Sequence, residues 1–135
     1  MADGGHMQIG EVAERTGLSL RTIRYYGEVG LVEPSARSQG GFRLYTAEDV
    51  DRLQLIKRMK PLNFPLEEMQ RLLATLDLLA EPETTVRERT ELDADLDEFE
   101  TSIATRCQAL RKELAMAEEF AERLRLARAS ETGRI

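Results

Sequence analysis

The chain has 135 residues, enough for one compact domain or a small domain with an extension, and it is 41% hydrophobic, 33% charged and only 5% aromatic. It has no run of about 18 apolar residues, which excludes a membrane-spanning helix, and no basic segment followed by an apolar core of the kind a secretory signal needs. A single cysteine cannot form an internal disulfide, so the sequence fits a reducing, cytoplasmic setting.

A net charge of -6 argues at first sight against a nucleic-acid partner, but the charge is unevenly spread. Residues 1–75 are neutral, residues 76–135 carry the whole of the -6, and within 15–60 nine basic residues face five acidic ones. The acid belongs to the C-terminal half, and the first half holds a locally basic segment.

Residues 1–7 (MADGGHM) are Gly-rich and without periodicity, and read as a disordered start; the lone His6 there reads as inert. Ile9, Val12 and Ala13 then set an apolar stripe at helical spacing. Gly17 suits the left-handed turn that ends such a helix, and Ser19 suits the N-cap of the next. In that second helix Leu20 and Ile23 are expected to face inward, with Arg21, Thr22, Arg24 and Tyr25 on the outer face and Tyr26 at the boundary. Gly30 stops it. Leu31–Val32 and Phe42–Tyr45 read as two short extended runs around a polar turn carrying Arg37, Gly40 and Gly41, a small hairpin.

Thr46 through Asp49 form a capping-box-like start for a third helix, which Pro61 ends by about Lys60. Asn63 tolerates a left-handed exit, and Pro65, Glu67 and Glu68 suit the first turn of a fourth helix with Met69, Leu72, Leu73 and Leu76 inward. Residues 77–90 read as a connecting segment, 91–128 as one long helix, and 129–135 as a frayed tail. In the long helix Leu96, Ile103, Leu110, Ala117 and Leu124 recur every seven residues, with Phe99 and Leu114 beside them and Arg106 and Glu113 interrupting the paired position. A rod of roughly 57 Å, at about 1.5 Å per residue, cannot bury that stripe on a domain the size of residues 8–76. Pairing with a second copy through Leu96, Phe99, Ile103, Leu110, Leu114, Ala117 and Leu124 is expected.

This is the local chemistry of a winged helix-turn-helix: one helix offers donors and rings to a groove, and a glycine-bent wing adds cations for phosphates. The fold class is mainly α, a DNA-binding domain over 8–76 followed by a dimerisation helix. Enzyme readings find no support, since no Gly-rich phosphate loop, Ser/His or Cys/His pairing, or metal-ligand spacing occurs. No metal and no cofactor are expected.

The ordered series Ile9-Gly10-Glu11-Val12-Ala13, Gly17-Leu18-Ser19, Thr22-Ile23-Arg24-Tyr25-Tyr26, Gly30-Leu31, Gly41-Phe42-Arg43-Leu44-Tyr45 and Leu62 to Met69 resembles the MerR family of transcriptional regulators over about half the chain. The resemblance implies a homodimer joined by an antiparallel coiled coil of the long helices. It implies binding to a two-fold-related operator in double-stranded promoter DNA, and distortion of that DNA for RNA polymerase. By position, Arg21, Thr22, Arg24 and Tyr25 would lie in or beside the major groove, and Tyr26, Arg37, Arg43, Tyr45 and Lys60 would hold the backbone. Pro61 and Asn63 depart from the family pattern. So does the effector end, where metal-sensing relatives carry several cysteines and this chain has Cys107 alone, in mid-helix. A small-molecule effector would have to be sensed by the joint, the helix pair or a groove between subunits, or the protein has none. The alternative reading is a protein–protein adaptor built on the long helix, with a degenerate DNA-binding domain.

Overall fold

The computed structural model describes residues 5–132. In order these form β1 (Met7–Gln8), α1 (Ile9–Thr16), α2 (Leu20–Glu28), β2 (Ala36–Arg37), β3 (Arg43–Tyr45), α3 (Ala47–Met59), a 3-10 turn (Lys60–Leu62), α4 (Leu66–Ala80) and α5 (Val86–Thr132). The chain divides into two units, one through Leu96 and one from Asp97, and the second consists of the rest of α5. The architecture is mainly α, a winged helix-turn-helix followed by a long helix. No helix among the described residues is long and apolar enough to cross a membrane.

The α1–α2 turn is closed by side chains from both its ends. Gly17 takes the left-handed conformation (φ 73°) and returns its N–H to the Ala13 carbonyl. The buried Thr16 hydroxyl donates to the Val12 carbonyl at 2.8 Å and accepts from the Leu18 N–H at 3.2 Å. Two side chains of α3 supply donors to carbonyls that end α1: Lys57 Nζ reaches the Thr16 oxygen at 2.7 Å and Gln54 Nε2 the Arg15 oxygen at 3.0 Å. Ser19 caps α2 by accepting from the Thr22 N–H at 3.0 Å. At the other end of α2, Gln70 of α4 donates to the Val29 carbonyl.

β3 is the middle strand of a three-stranded antiparallel sheet, with Met7 opposite Tyr45 on one side and Ala36 opposite Leu44 on the other. The core of the first unit gathers Val12, Ile23, Val32, Tyr45, Leu53 and Ile56, each at most 2% exposed. α3 starts on a complete capping box: the Thr46 hydroxyl accepts from the Asp49 N–H, and the Asp49 carboxylate accepts from the Thr46 N–H at 2.9 Å. The same carboxylate oxygen accepts from the Ser35 hydroxyl at 2.6 Å, tying the approach to the wing to the start of α3.

Several sequence expectations need correction. Met7 is not part of a disordered start: it is buried in β1, because β3 offers it a free edge to pair with; residues 1–4 lie outside the described residues. The first strand of the wing is Ala36–Arg37 and not Leu31–Val32, which instead turn into the core behind α2, their N–H groups donating to the Tyr26 carbonyl. Leu20 is 40% exposed and Leu76 36%, while Thr75 is buried in place of Leu76, its hydroxyl satisfied by the Arg71 carbonyl.

The connecting segment shrinks from 77–90 to 81–85, because α4 runs on to Ala80 and α5 begins at Val86. A second capping box accounts for the early start: the Thr85 hydroxyl accepts from the Glu88 N–H, and Glu88 accepts from the Thr85 N–H at 2.9 Å. That hydrogen bonding holds the exposed Glu88 carboxyl below its ordinary range. Arg89 reaches back to the Leu79 and Glu81 carbonyls at 2.7 and 2.9 Å. α5 continues through Thr132, so residues 129–132 are helix rather than frayed tail; residues 133–135 lie outside the described residues.

The shared carboxylate of Asp49 makes a direct prediction. Asp49→Ala leaves the Thr46 N–H and the Ser35 hydroxyl without their acceptor in a buried corner, and is expected to cost about 1–3 kcal/mol in a urea titration. The neighbouring exposed Glu48→Ala is expected to cost well under about 1 kcal/mol.

Candidate nucleic-acid interface

Three elements bring an arginine each to one place. Arg24 lies on the outer face of α2, Arg37 comes from β2, and Arg43 comes from β3 directly across the strand pair from Arg37. With Gln8, Ile9, Gly41 and Phe42 they line a cleft of about 130 Å³. No carboxylate is in its wall, and among the described residues none of the three arginines is in an ion pair. Like charges gathered without counter-charges repel one another, and an anion placed among them relieves that repulsion.

The wing is shaped for this. Gly41, at φ 84°, returns its N–H to the Ser38 carbonyl, and the Ser38 N–H in turn donates to the Phe42 carbonyl. Arg37 donates to the Gly41 carbonyl at 3.0 Å, which fixes the guanidinium along the hairpin. A Cβ on Gly40 would come within 3.1 Å of the Phe42 ring, so glycine there leaves room for an aromatic that stands 65% exposed at the tip.

Beside the cleft, Arg21 and Tyr25 are exposed on α2, Tyr25 at 51%. Thr22 is half-buried, and its hydroxyl accepts from Ser19 at 2.8 Å. Lys60 is exposed at the start of the 3-10 turn, outside the cleft lining. Arg24, Arg37 and Arg43 are thus brought together, while Arg21, Thr22 and Tyr25 share the adjoining helix.

Tyr26 and Tyr45 differ from expectation. Tyr26 is 3% exposed and Tyr45 0%, so neither ring lies at a boundary or on the surface; both pack in the core. Their hydroxyls are buried and have no hydrogen-bond partner among the described residues. Burial raises the Tyr45 pKa above its ordinary 10.0; Arg43, Arg37 and Arg24 oppose the rise and Asp49 adds to it. All three cleft arginines are therefore within electrostatic reach of the Tyr45 phenol.

Gln8 and Phe42 join the cleft without having been singled out in the sequence. A two-residue strand gives no periodicity by which Gln8 could be found, whereas an aromatic directly after Gly-Gly in a basic loop was a usable sign for Phe42.

The chain matches two family models, one described as MerR HTH family regulatory protein over residues 7–76 and one as MerR, DNA binding over residues 50–117. It is 44% identical over 70 residues to the mercuric resistance operon regulatory protein of Bacillus cereus, covering 52% of this chain and 53% of that protein. It is 33% identical over 122 residues to the regulator YfmP of Bacillus subtilis, covering 87% of each. The chain spans about half the length of the first curated relatives it matches. A solved structure of HiNmlR, described as a MerR family regulator lacking the sensor domain and bound to promoter DNA, shares the fold at a TM-score of 0.68 and 22% identity, over 92% of this chain and 94% of that one.

The unpartnered phenol generates a prediction with a sign. A folded-state pKa above the unfolded value means the folded chain holds the proton more tightly, so this contribution is complete below about pH 10 and is lost as pH rises from there through the folded pKa. Tyr45→Phe is expected to remove that part of the alkaline decline in a pH series of melts. At neutral pH it should leave stability unchanged or raise it by up to about 1 kcal/mol, because no hydrogen bond is lost.

Proposed function

Because the chain belongs to the MerR family of helix-turn-helix regulatory proteins, we propose that it is a sequence-specific transcriptional regulator that binds double-stranded promoter DNA as a homodimer. The observation that carries this reading is the cleft where Arg24, Arg37 and Arg43 meet without a counter-carboxylate. Arg37 and Arg43 in its wall suit a phosphate of the DNA backbone, for which guanidinium offers paired donors, while Arg24 reaches it from the base-reading helix. The adjoining α2 face, with Arg21, Thr22, Arg24 and Tyr25, enters the major groove, where base edges differ from pair to pair. Arg37 and Arg43 hold phosphates from the wing and Lys60 does so from the 3-10 turn. The buried hydroxyls of Tyr26 and Tyr45 become donors only if DNA binding opens their surroundings.

Two such chains grip a two-fold-related operator, with α5 joining them through Leu96, Phe99, Ile103, Leu110, Leu114, Ala117 and Leu124. Phosphates held on both sides of an untouched centre can supply the few kcal/mol that bending and untwisting DNA requires. The distorted promoter then meets RNA polymerase in a changed register. The protein works in the cytoplasm, and its chemistry is binding rather than catalysis. The adaptor reading leaves the carboxylate-free arginine cleft without a use.

Nuclease footprinting on DNA upstream of the gene and its neighbours tests this. A salt-sensitive, two-fold-symmetric protected site with a hypersensitive centre is expected, and no protection at any salt concentration would sink the proposal. Arg24→Ala should weaken binding and relax preference at particular base positions. Lys60→Ala should weaken all sequences alike and reduce the salt slope by about 1. Variants indistinguishable in base preference would overturn the assignment of base and backbone roles.

A further inference from the structure

α2 is held at its start by the turn before it and at its end by a different helix. Ahead of it, the Ser19 cap and the Lys57 and Gln54 donors of α3 fix the turn. Behind it, the chain turns through Val29 (φ -88°, ψ 7°) and the left-handed Gly30 (φ 73°). That turn satisfies late carbonyls of α2 by itself: Tyr25 accepts from the Val29 N–H, Gly27 from Gly30, and Tyr26 from Leu31 and Val32. The Val29 carbonyl is instead met from outside the turn, by Gln70 Nε2 of α4 at 3.0 Å, 41 residues along the chain.

We infer that Gln70 is a positioning residue for DNA reading: its amide sets the angle at which α2 presents Arg24 and Tyr25. This rests on the regulator proposed above and names what aims its reading helix. α2 has 9 residues and is about 13 Å long, so with its start held, a shift of about 1 Å at Val29 tilts the helix by about 4°. Tyr25, past the midpoint, then moves by roughly half an ångström, about the tolerance within which a recognising group has to be kept.

Gln70 is built to hold that angle. Gln70 and Val29 are both half-buried, so water competes weakly for the bond between them. The donor meets α2 at its C-terminal end, where carbonyls leave the helix without partners and a donor is favoured. α4 is a firm anchor: Met69, Leu72 and Leu73 bury it in the core, and its Asp77 pairs with Arg52 of α3. Gln70 lines no part of the arginine cleft. Its loss therefore leaves Arg37 and Arg43 in place on the wing, which separates the aiming of α2 from the gripping of phosphates.

Two variants of the full chain test this. Gln70→Met keeps the side-chain length and removes the N–H donor, and Gln70→Lys keeps a donor. Each is titrated with a duplex that the unaltered chain selects from a random pool and with an unrelated duplex of equal length. Gln70→Met should weaken binding to the selected duplex by up to about tenfold, the worth of one neutral hydrogen bond, and leave the unrelated duplex and the salt slope unchanged. Gln70→Lys should restore the ratio of the two affinities. Hydrogen exchange of the free chain reads the same hold without DNA: amides of residues 20–32 should exchange faster in Gln70→Met and slow again in Gln70→Lys, with those of α3 unchanged. Equal weakening on both duplexes, a lowered urea midpoint with an unchanged ratio, or no rescue by lysine would overturn the positioning role. If the unaltered chain selects no sequence, the regulator reading fails, and exchange alone decides whether Gln70 holds α2. Faster exchange at residues 20–32 in Gln70→Met then upholds that hold, and unchanged exchange overturns it.

Discussion

The cationic face depends on a three-residue strand being paired on both edges. β3 sets Arg43 opposite Arg37 and Leu44 opposite Ala36, and on its other side holds Met7 and Gln8. Position along the strand then does the sorting: Arg43, at its start beside the wing, lines the cleft, while Tyr45, at its end before α3, is 0% exposed in the core. A one-residue slip would turn both side chains to the opposite face, taking the guanidinium from the cleft and the phenol from the core. Such a short strand cannot hold its register alone, and the chain clamps it from both ends. Gly41 and Ser38 fix the hairpin turn, and the Asp49 carboxylate binds Thr46 and Ser35 at the strand's exit.

Much of this was legible in the sequence because the signals were local. Gly17, Ser19 and the Thr46–Asp49 box mark helix ends by chemistry that acts over three or four residues, and the structure uses each of them. The misplacements came where a tertiary partner decided. Leu31 and Val32 look like a strand, but both their N–H groups donate to the Tyr26 carbonyl near the end of α2, and both side chains are buried. Met7 looks like part of a tail, and only β3, almost forty residues away, makes it a strand. The long helix starts five residues before the stripe suggested, because Thr85 and Glu88 form a cap that was hidden in a polar joint.

The candidate site was read in outline, though not in depth. Arginine and tyrosine in a helix next to a glycine-bent wing pointed to the elements that line the arginine cleft, since both residue types carry donors suited to nucleic acid. Burial is what the pattern could not supply. Tyr25 and Tyr26 are adjacent and chemically identical, yet one is 51% exposed and the other 3%, because a helix turns by about 100° between them. Their rings lie 5.9 Å apart, tilted by 53°, so the buried ring supports the exposed one. That contact gives Tyr26 a role in positioning Tyr25 whether or not its hydroxyl ever meets DNA.

A chain of net charge -6 can still bind a polyanion because screening limits the reach of each charge to about 8 Å at physiological ionic strength. Within that distance of a phosphate in the cleft, the three guanidinium groups lining its wall set the local field, and the total charge has little weight. Placing charge by task in this way also explains why composition misleads here. In the proposed homodimer the number of phosphates gripped doubles. Each gripped phosphate steepens the fall of log affinity with log salt by about 0.9, so two paired faces make binding about twice as salt-dependent as one.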